Sequence, residues 1–258
     1  PNSNLNKTAI DKYNENIFKI TRQFKYSTKN NNTLDVVLSI NGFPVIVIEL
    51  KNQFTNQNVY DAIKQYKEDR DPKEKLFGFN ERVLVYFTVD TDEVYMTTQL
   101  KGDKTFFLPF NKGNNKGKGN PTVEGKVKTH YLWEEILVHD SLLDIINRFY
   151  FIQEDEDKKK KAIFPRYHQL DAVRKMVKDL EVNKAGLNYL IQHSAGSGKT
   201  NTIAWSAHRL SSLHDEENNP IFDSVIVITD RKVLDKQLQD AIYQLEHKKG
   251  LACLLYTS

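Results

Sequence analysis

The segment Ala195-Gly-Ser-Gly-Lys-Thr200 constrains this chain more than any other. It lies between an apolar run, Leu187–Gln192, and a stretch that reads as a helix, Asn201–Leu213. Glycines there let successive backbone N–H groups converge on a phosphate, and the following helix adds the positive end of its dipole. Gly196, Ser197 and Gly198 would form the cradle. Lys199 would supply a point charge for the β- and γ-phosphates, and the Thr200 hydroxyl can ligate Mg²⁺. The usual spacing has another glycine five positions before Gly198, where this chain has His193. The bland alternative is a turn that binds nothing, and the strand-before, helix-after context argues against it.

The neighbourhood repeats that rhythm. Ser224–Thr229 is a fully apolar run and Val233–Glu246 reads as a helix, so the second half predicts a βαβ unit with a parallel sheet. Gln169 opens a helix roughly one helix-length before the loop, within Phe164-Pro-Arg-Tyr-His-Gln169. Its amide can read an adenine edge with one donor and one acceptor, so ATP is the expected nucleotide. Alone, it would be read as a helix start. Thr229-Asp230-Arg231 ends the second run. Thr229 and Arg231 are candidate DNA-backbone contacts, and the same residues suit a helix N-cap.

The first half differs. Thr33–Ile40 and Phe43–Leu50 are β-branched runs joined by Asn41-Gly42, a strong two-residue hairpin signal. Asn58–Arg70 reads as a helix, with Val59, Ala62, Ile63 and Tyr66 on one stripe. Val83–Val89, Val94–Thr98 and Thr105–Phe110 are expected strands, Asn111–Gly125 a long flexible loop, and Leu132–Phe151 a helical stretch. The charge block from Glu154 to Lys161 reads as an exposed linker. The expected domains are therefore 1–128, a connector over 129–161, and 162–258.

Composition sets the outer bounds. With 258 residues, 39% hydrophobic and 28% charged, the chain can build a core. No run approaches the roughly 18 apolar residues of a spanning helix, so no membrane is expected. The single cysteine, Cys253, excludes a disulfide framework and a Cys-ligated metal. It fits a reducing compartment, hence a cytoplasmic location. A net charge of +3 is too small to announce a nucleic-acid partner. Residues 101–128 hold seven lysines against Asp103 and Glu124, as a solvated loop or a phosphate-contacting one. The start at Pro1 and the apolar end Leu251–Ser258 suggest a fragment, with residues 251–258 of doubtful origin.

Asp35 lies in the first run of the hairpin, and Glu49 and Lys51 end the second. Period two puts Glu49 and Lys51 on one face. The turn brings Asp35 opposite residue 48 or 49. Two carboxylates at short range call for a cation, and Mg²⁺ is the usual one with oxygen ligands; the Leu50 carbonyl could be a third ligand. Lys51 can then orient a water or stabilise developing charge, a constellation that hydrolyses phosphodiesters. An edge-strand Glu49–Lys51 ion pair is the plain alternative.

Taken together, the chain resembles the restriction (R) subunit of type I restriction–modification enzymes, from about Thr21 to Gly250. The resemblance rests on Thr21–Tyr26 (TRQFKY), Leu34–Leu38 (LDVVL), Asn41–Pro44 (NGFP), Glu49–Asn52 (ELKN), Asp61–Tyr66 (DAIKQY), Ile163–Asp171 (IFPRYHQLD), Gln192–Thr200 (QHSAGSGKT) and Val227–Arg231 (VITDR). It implies an α/β chain: a RecB-like PD-(D/E)xK nuclease domain followed by a truncated first RecA-like P-loop motor lobe. Asp35, Glu49 and Lys51 match the catalytic positions, with Leu34 at the nominal proline. Gln169, Lys199 and Thr200 match the motor's ATP-binding motifs. An auxiliary Gln and Tyr four residues apart would be met by Tyr66 but not by Ala62, with Gln65 next to Tyr66. The motor's Asp-Glu-x-His-type motif and second lobe are absent, so this piece is expected to bind ATP without translocating. The parent would pump and cut double-stranded DNA, with a specificity subunit and a methyltransferase subunit as partners. The competing readings are an ATP-dependent helicase–nuclease of DNA repair and a DNA-binding module with a decayed nuclease site.

Overall fold

Asn41 and Gly42 both take left-handed backbone, φ 52° and 82°, the geometry that turns one strand tightly back on the next. The computed structural model describes residues 7–115, 117–154, 157–229 and 232–245. They fall into two compact units, Pro1–Ser141 and Leu142–Ser258.

The first unit is a six-stranded mixed sheet beside helix α1 (Lys7–Asn14) and helix α2 (Val59–Glu68). Its strands are β1 (Phe18–Lys25), β2 (Thr33–Ile40), β3 (Phe43–Leu50), β4 (Val85–Val89), β5 (Val94–Thr97) and β6 (Leu108–Pro109), paired in sequence order. Only β3 and β4 run parallel, and α2 is the crossover between them. Asn58 caps α2 in a reciprocal arrangement with Asp61. The α2 stripe delivers Tyr66 into a core of Leu34, Val37, Val47, Phe77, Tyr86 and Phe107.

The β2–β3 pairing holds a register shift between Leu38 and Ser39. Ser39 pairs with Pro44, but Leu38 pairs with Ile46, so Val45 is an extra residue in β3. The expected strand Thr105–Phe110 shrinks to Leu108–Pro109. The loop expected to be flexible is instead pinned by buried Asn120, whose side chain bonds Lys112 N, Asp92 O and Asn111 Oδ1. The helical stretch breaks into a π-turn at Leu132–Ile136 and helix α3 (His139–Arg148).

The second unit contains the rest of α3, β7 (Phe151–Glu154), β8 (Lys160–Ile163), α4 (Tyr167–Asn183), α5 (Lys199–Ser211) and α6 (Lys232–Leu245). The described residues of the charge block are exposed, as expected, and its two ends belong to β7 and β8, which pair antiparallel. Trp205 of α5 is fully buried and donates its indole N–H to Phe149 O at 3.0 Å. The two apolar runs expected to form a parallel sheet do not do so among the described residues. Residues 187–192 and 224–229 make no strand pairing. Leu190 is 91% exposed and Ile228 88%. The reason is that a strand is a property of a pair: apolar residues favour it only when a neighbour completes the backbone hydrogen bonds. No described helix is long and apolar enough to cross a membrane.

Candidate functional site

The extra residue Val45 settles which residue faces Asp35. Past the shift Val36 pairs with Ile48, and that register continued by one sets Asp35 across from Glu49. Pairing there passes from backbone to side chain, for Leu50 N donates to Asp35 Oδ2 at 2.8 Å. Gln23 Nε2 reaches Asp35 Oδ1 at 3.3 Å. Asp35 is half-buried and Glu49 fully buried.

Glu49 does not pair with Lys51, so the plain edge-strand reading fails. Its Oε1 accepts from Arg70 Nε at 3.0 Å and Nη2 at 2.7 Å. Its Oε2 is buried and has no hydrogen-bond partner. Once Glu49 has released its proton, that buried oxygen has no donor, which is costly, and a cation beside Asp35 would satisfy it. These donors suit Mg²⁺, a hard ion that takes oxygen ligands and keeps several waters. Among the described residues no group of three or more His, Cys, Asp or Glu gathers as ligands, so the pair would rely on backbone and water for the rest.

Lys51 shares the α2-facing side of β3 and donates Nζ to Gln65 Oε1 at 2.7 Å. Gln65, not Tyr66, is thus the helix residue that reaches the site; it flanks the apolar stripe, the one sequence sign that could have marked it. Tyr66 spends its hydroxyl on Phe87 O at 3.3 Å and its ring on the core. Arg70 lies beyond α2, whose C-cap is Asp69, and no sequence pattern singles it out.

Burial raises the Glu49 carboxyl from 4.5 to about 7; Arg70 opposes the shift and Asp35 adds to it. Between those values the folded chain holds a proton that the unfolded chain has released. The metal-free chain should therefore lose stability as pH rises through that window, and stay lower above it. Urea unfolding across pH checks this. Glu49→Gln should flatten that part of the slope, and an unchanged slope would count against a buried, proton-holding Glu49.

In the second unit the glycine-rich loop is formed. Gly196 and Gly198 take φ 72° and 82°, and Gly198 caps α5. Ser197 is buried, and its hydroxyl has no hydrogen-bond partner. Lys199 Nζ curls onto Ser194 O at 2.9 Å and His193 O at 3.2 Å. Thr200 sits half-buried in the first turn of α5. His193 packs edge-on against His168, whose Nε2 meets Ser197 O at 3.0 Å. Burial lowers the pKa of both imidazoles, with Arg166 adding to each.

Gln169 is 3% exposed and hydrogen-bonded at both ends of its amide: Oε1 accepts from Arg166 N and Nε2 donates to Gly198 O. In this structure it braces the loop with one donor and one acceptor. A Cβ on Gly198 would stand 2.5 Å from Gln169 Nε2 on left-handed backbone. Gly198→Ala should therefore weaken binding of a fluorescent ATP analogue by about tenfold or more, by reshaping the loop. Unchanged affinity would argue that the loop is no cradle. Thr229, the last residue of the unpaired run, is half-buried, and Arg231 lies outside the described residues.

Three of the seven lysines in 101–128 pair with carboxylates of the protein itself. Lys112 pairs with Glu135 and Lys128 with Asp92, both at 2.6 Å, and Lys126 pairs with Glu134.

Residues 4–105 match the family model of the type I restriction enzyme R protein N terminus, and residues 168–252 match that of SWI2/SNF2 ATPases. A putative type I restriction enzyme MjaVIIIP endonuclease subunit from Methanocaldococcus jannaschii is 29% identical over 93% of this chain. The MjaVIIP subunit of the same organism is 30% identical over 93%, and the Haemophilus influenzae HindI endonuclease subunit 26% over 79%. The chain spans about a fifth of these relatives' lengths, 22%, 22% and 19%.

Proposed function

We propose, from a chain whose residues 4–105 belong with the N terminus of type I restriction R proteins, that the first unit is a PD-(D/E)xK nuclease and the second the start of an ATP-driven motor lobe. The observation that carries this reading is the buried, unpartnered Oε2 of Glu49 next to Asp35, with Lys51 on the same side of the sheet.

Asp35 and Glu49 would hold Mg²⁺. When bound, the ion would supply the Lewis acidity that makes water a nucleophile and offsets phosphate charge. Lys51 keeps one donor on Gln65, which fixes its direction, and has two left for the oxygens of a scissile phosphodiester. In the second unit, Lys199 would leave the carbonyls of His193 and Ser194 for the β- and γ-phosphates of ATP. Thr200 would contribute its hydroxyl to the nucleotide's Mg²⁺. Thr229 and Arg231 remain candidate contacts to the DNA backbone. The whole protein would act on double-stranded DNA in the bacterial or archaeal cytoplasm, beside a specificity and a methyltransferase subunit.

The test uses the full-length subunit assembled with those partners on circular DNA carrying a recognition site. Cleavage is expected with Mg²⁺ and ATP together. Chelation with EDTA should abolish it, and so should omission of ATP. Cleavage that persists in EDTA would refute the metal reading, and ATP-independent cleavage would refute the coupling to the motor.

A further inference from the structure

An arginine that meets a carboxylate usually spreads its fork over both oxygens. Arg70 does not. Its Nε and Nη2 both go to Glu49 Oε1, at 3.0 and 2.7 Å, and Oε2 is left buried without a partner. The same guanidinium reaches Thr33 O at 2.9 Å and Tyr26 Oη at 3.4 Å, and lies 5.5 Å from the Tyr26 ring centre. Thr33 begins β2, two residues before Asp35. Arg70 therefore ties together the two strands that bear the carboxylates, at the end of the sheet where the pairing gives way to the side chain of Asp35.

We propose that Arg70 is a positioning residue of the metal site: by occupying Oε1 alone it turns Oε2 of Glu49 toward Asp35 and holds the two carboxyls ready for one divalent cation. Stability alone is a weak reason for such a group. A buried ion pair is often no better than apolar packing, and this one leaves an acceptor unsatisfied. Both features make sense if the second oxygen belongs to an ion. Arg70 is 4% exposed, so it does not contact DNA directly and acts through Glu49. The proposal rests on the nuclease reading above.

The test is Mn²⁺ binding to the 258-residue chain by calorimetry without nucleotide, with Glu49→Gln as the blank. Arg70→Lys keeps the charge but cannot place two donors on one oxygen from the same direction. It should weaken Mn²⁺ binding at least about tenfold, while circular dichroism stays that of the wild type. Arg70→Lys binding within about twofold of the wild type would overturn the proposal. So would Arg70→Met binding more tightly, since the guanidinium would then be the ion's competitor. Should both variants unfold, the wild type decides. The Arg70 Nε–H resonance should persist and shift when Mg²⁺ is added, and its loss would mean that the ion displaces the arginine. A wild-type chain without any Glu49-dependent Mn²⁺ site would overturn the nuclease reading together with the proposal. A site indifferent to Arg70 overturns the proposal alone.

Discussion

Glu49→Ala in the assembled enzyme should leave ATP hydrolysis near wild type and lower DNA cleavage by at least about a thousandfold. Asp35 and Glu49 are the carboxylates that the sheet brings together here, and among the described residues no third His, Cys, Asp or Glu joins them as a ligand group. The change also strips Arg70 of its buried partner. Leaving a buried charge uncompensated costs about 3–5 kcal/mol, so the alanine variant confounds chemistry with folding. Glu49→Gln separates them. It keeps an oxygen for the two Arg70 bonds and nearly the same volume, and it withholds only the anion. Both variants should fail to cut, and the glutamine variant should do so with a near-native thermal transition. If Glu49→Gln still cleaves, Asp35, Glu49 and Lys51 are structural and the nuclease lies elsewhere.

Lys199→Ala should produce the complementary failure. ATP hydrolysis should fall by about 10²–10³-fold, and cleavage that depends on the motor should fall with it. The lysine is exposed and, among the described residues, bonds only the loop carbonyls of His193 and Ser194, so its loss should scarcely affect folding. Steady-state ATPase rates with DNA, and cleavage on the same sample, check this. Normal ATP turnover in Lys199→Ala would remove the loop from the nucleotide site. The pair of variants thus tests two engines independently: one should spare ATPase and the other should remove it.

Several elements were open to reading in advance because their causes are local. The Asn41-Gly42 turn, both flanking strands and the α2 stripe follow from left-handed turn residues and from periods of two and 3.6. The glycine-rich loop is equally local, since Gly196 and Gly198 are the residues that left-handed backbone favours. Strands over 187–192 and 224–229 were not so determined. Their composition suits a sheet interior, but a sheet needs hydrogen-bonded neighbours.

The sequence by itself determined which groups the chain offers: a carboxylate pair with a lysine on one hairpin, and a glycine-rich loop with Lys199 and Thr200 ahead of a helix. Tertiary structure alone decided how those groups are held. The extra residue Val45 chose Glu49 over Ile48 as the partner of Asp35. The β3–α2–β4 crossover set Gln65 against Lys51 and carried Arg70 back onto Glu49 from twenty-one residues away. The amide of Gln169, legible as a donor–acceptor pair, meets Arg166 N and Gly198 O in this structure. The physical reason is common to all of these. Residue type and spacing fix what a side chain can donate or accept, whereas burial and long-range contact fix which partner it meets.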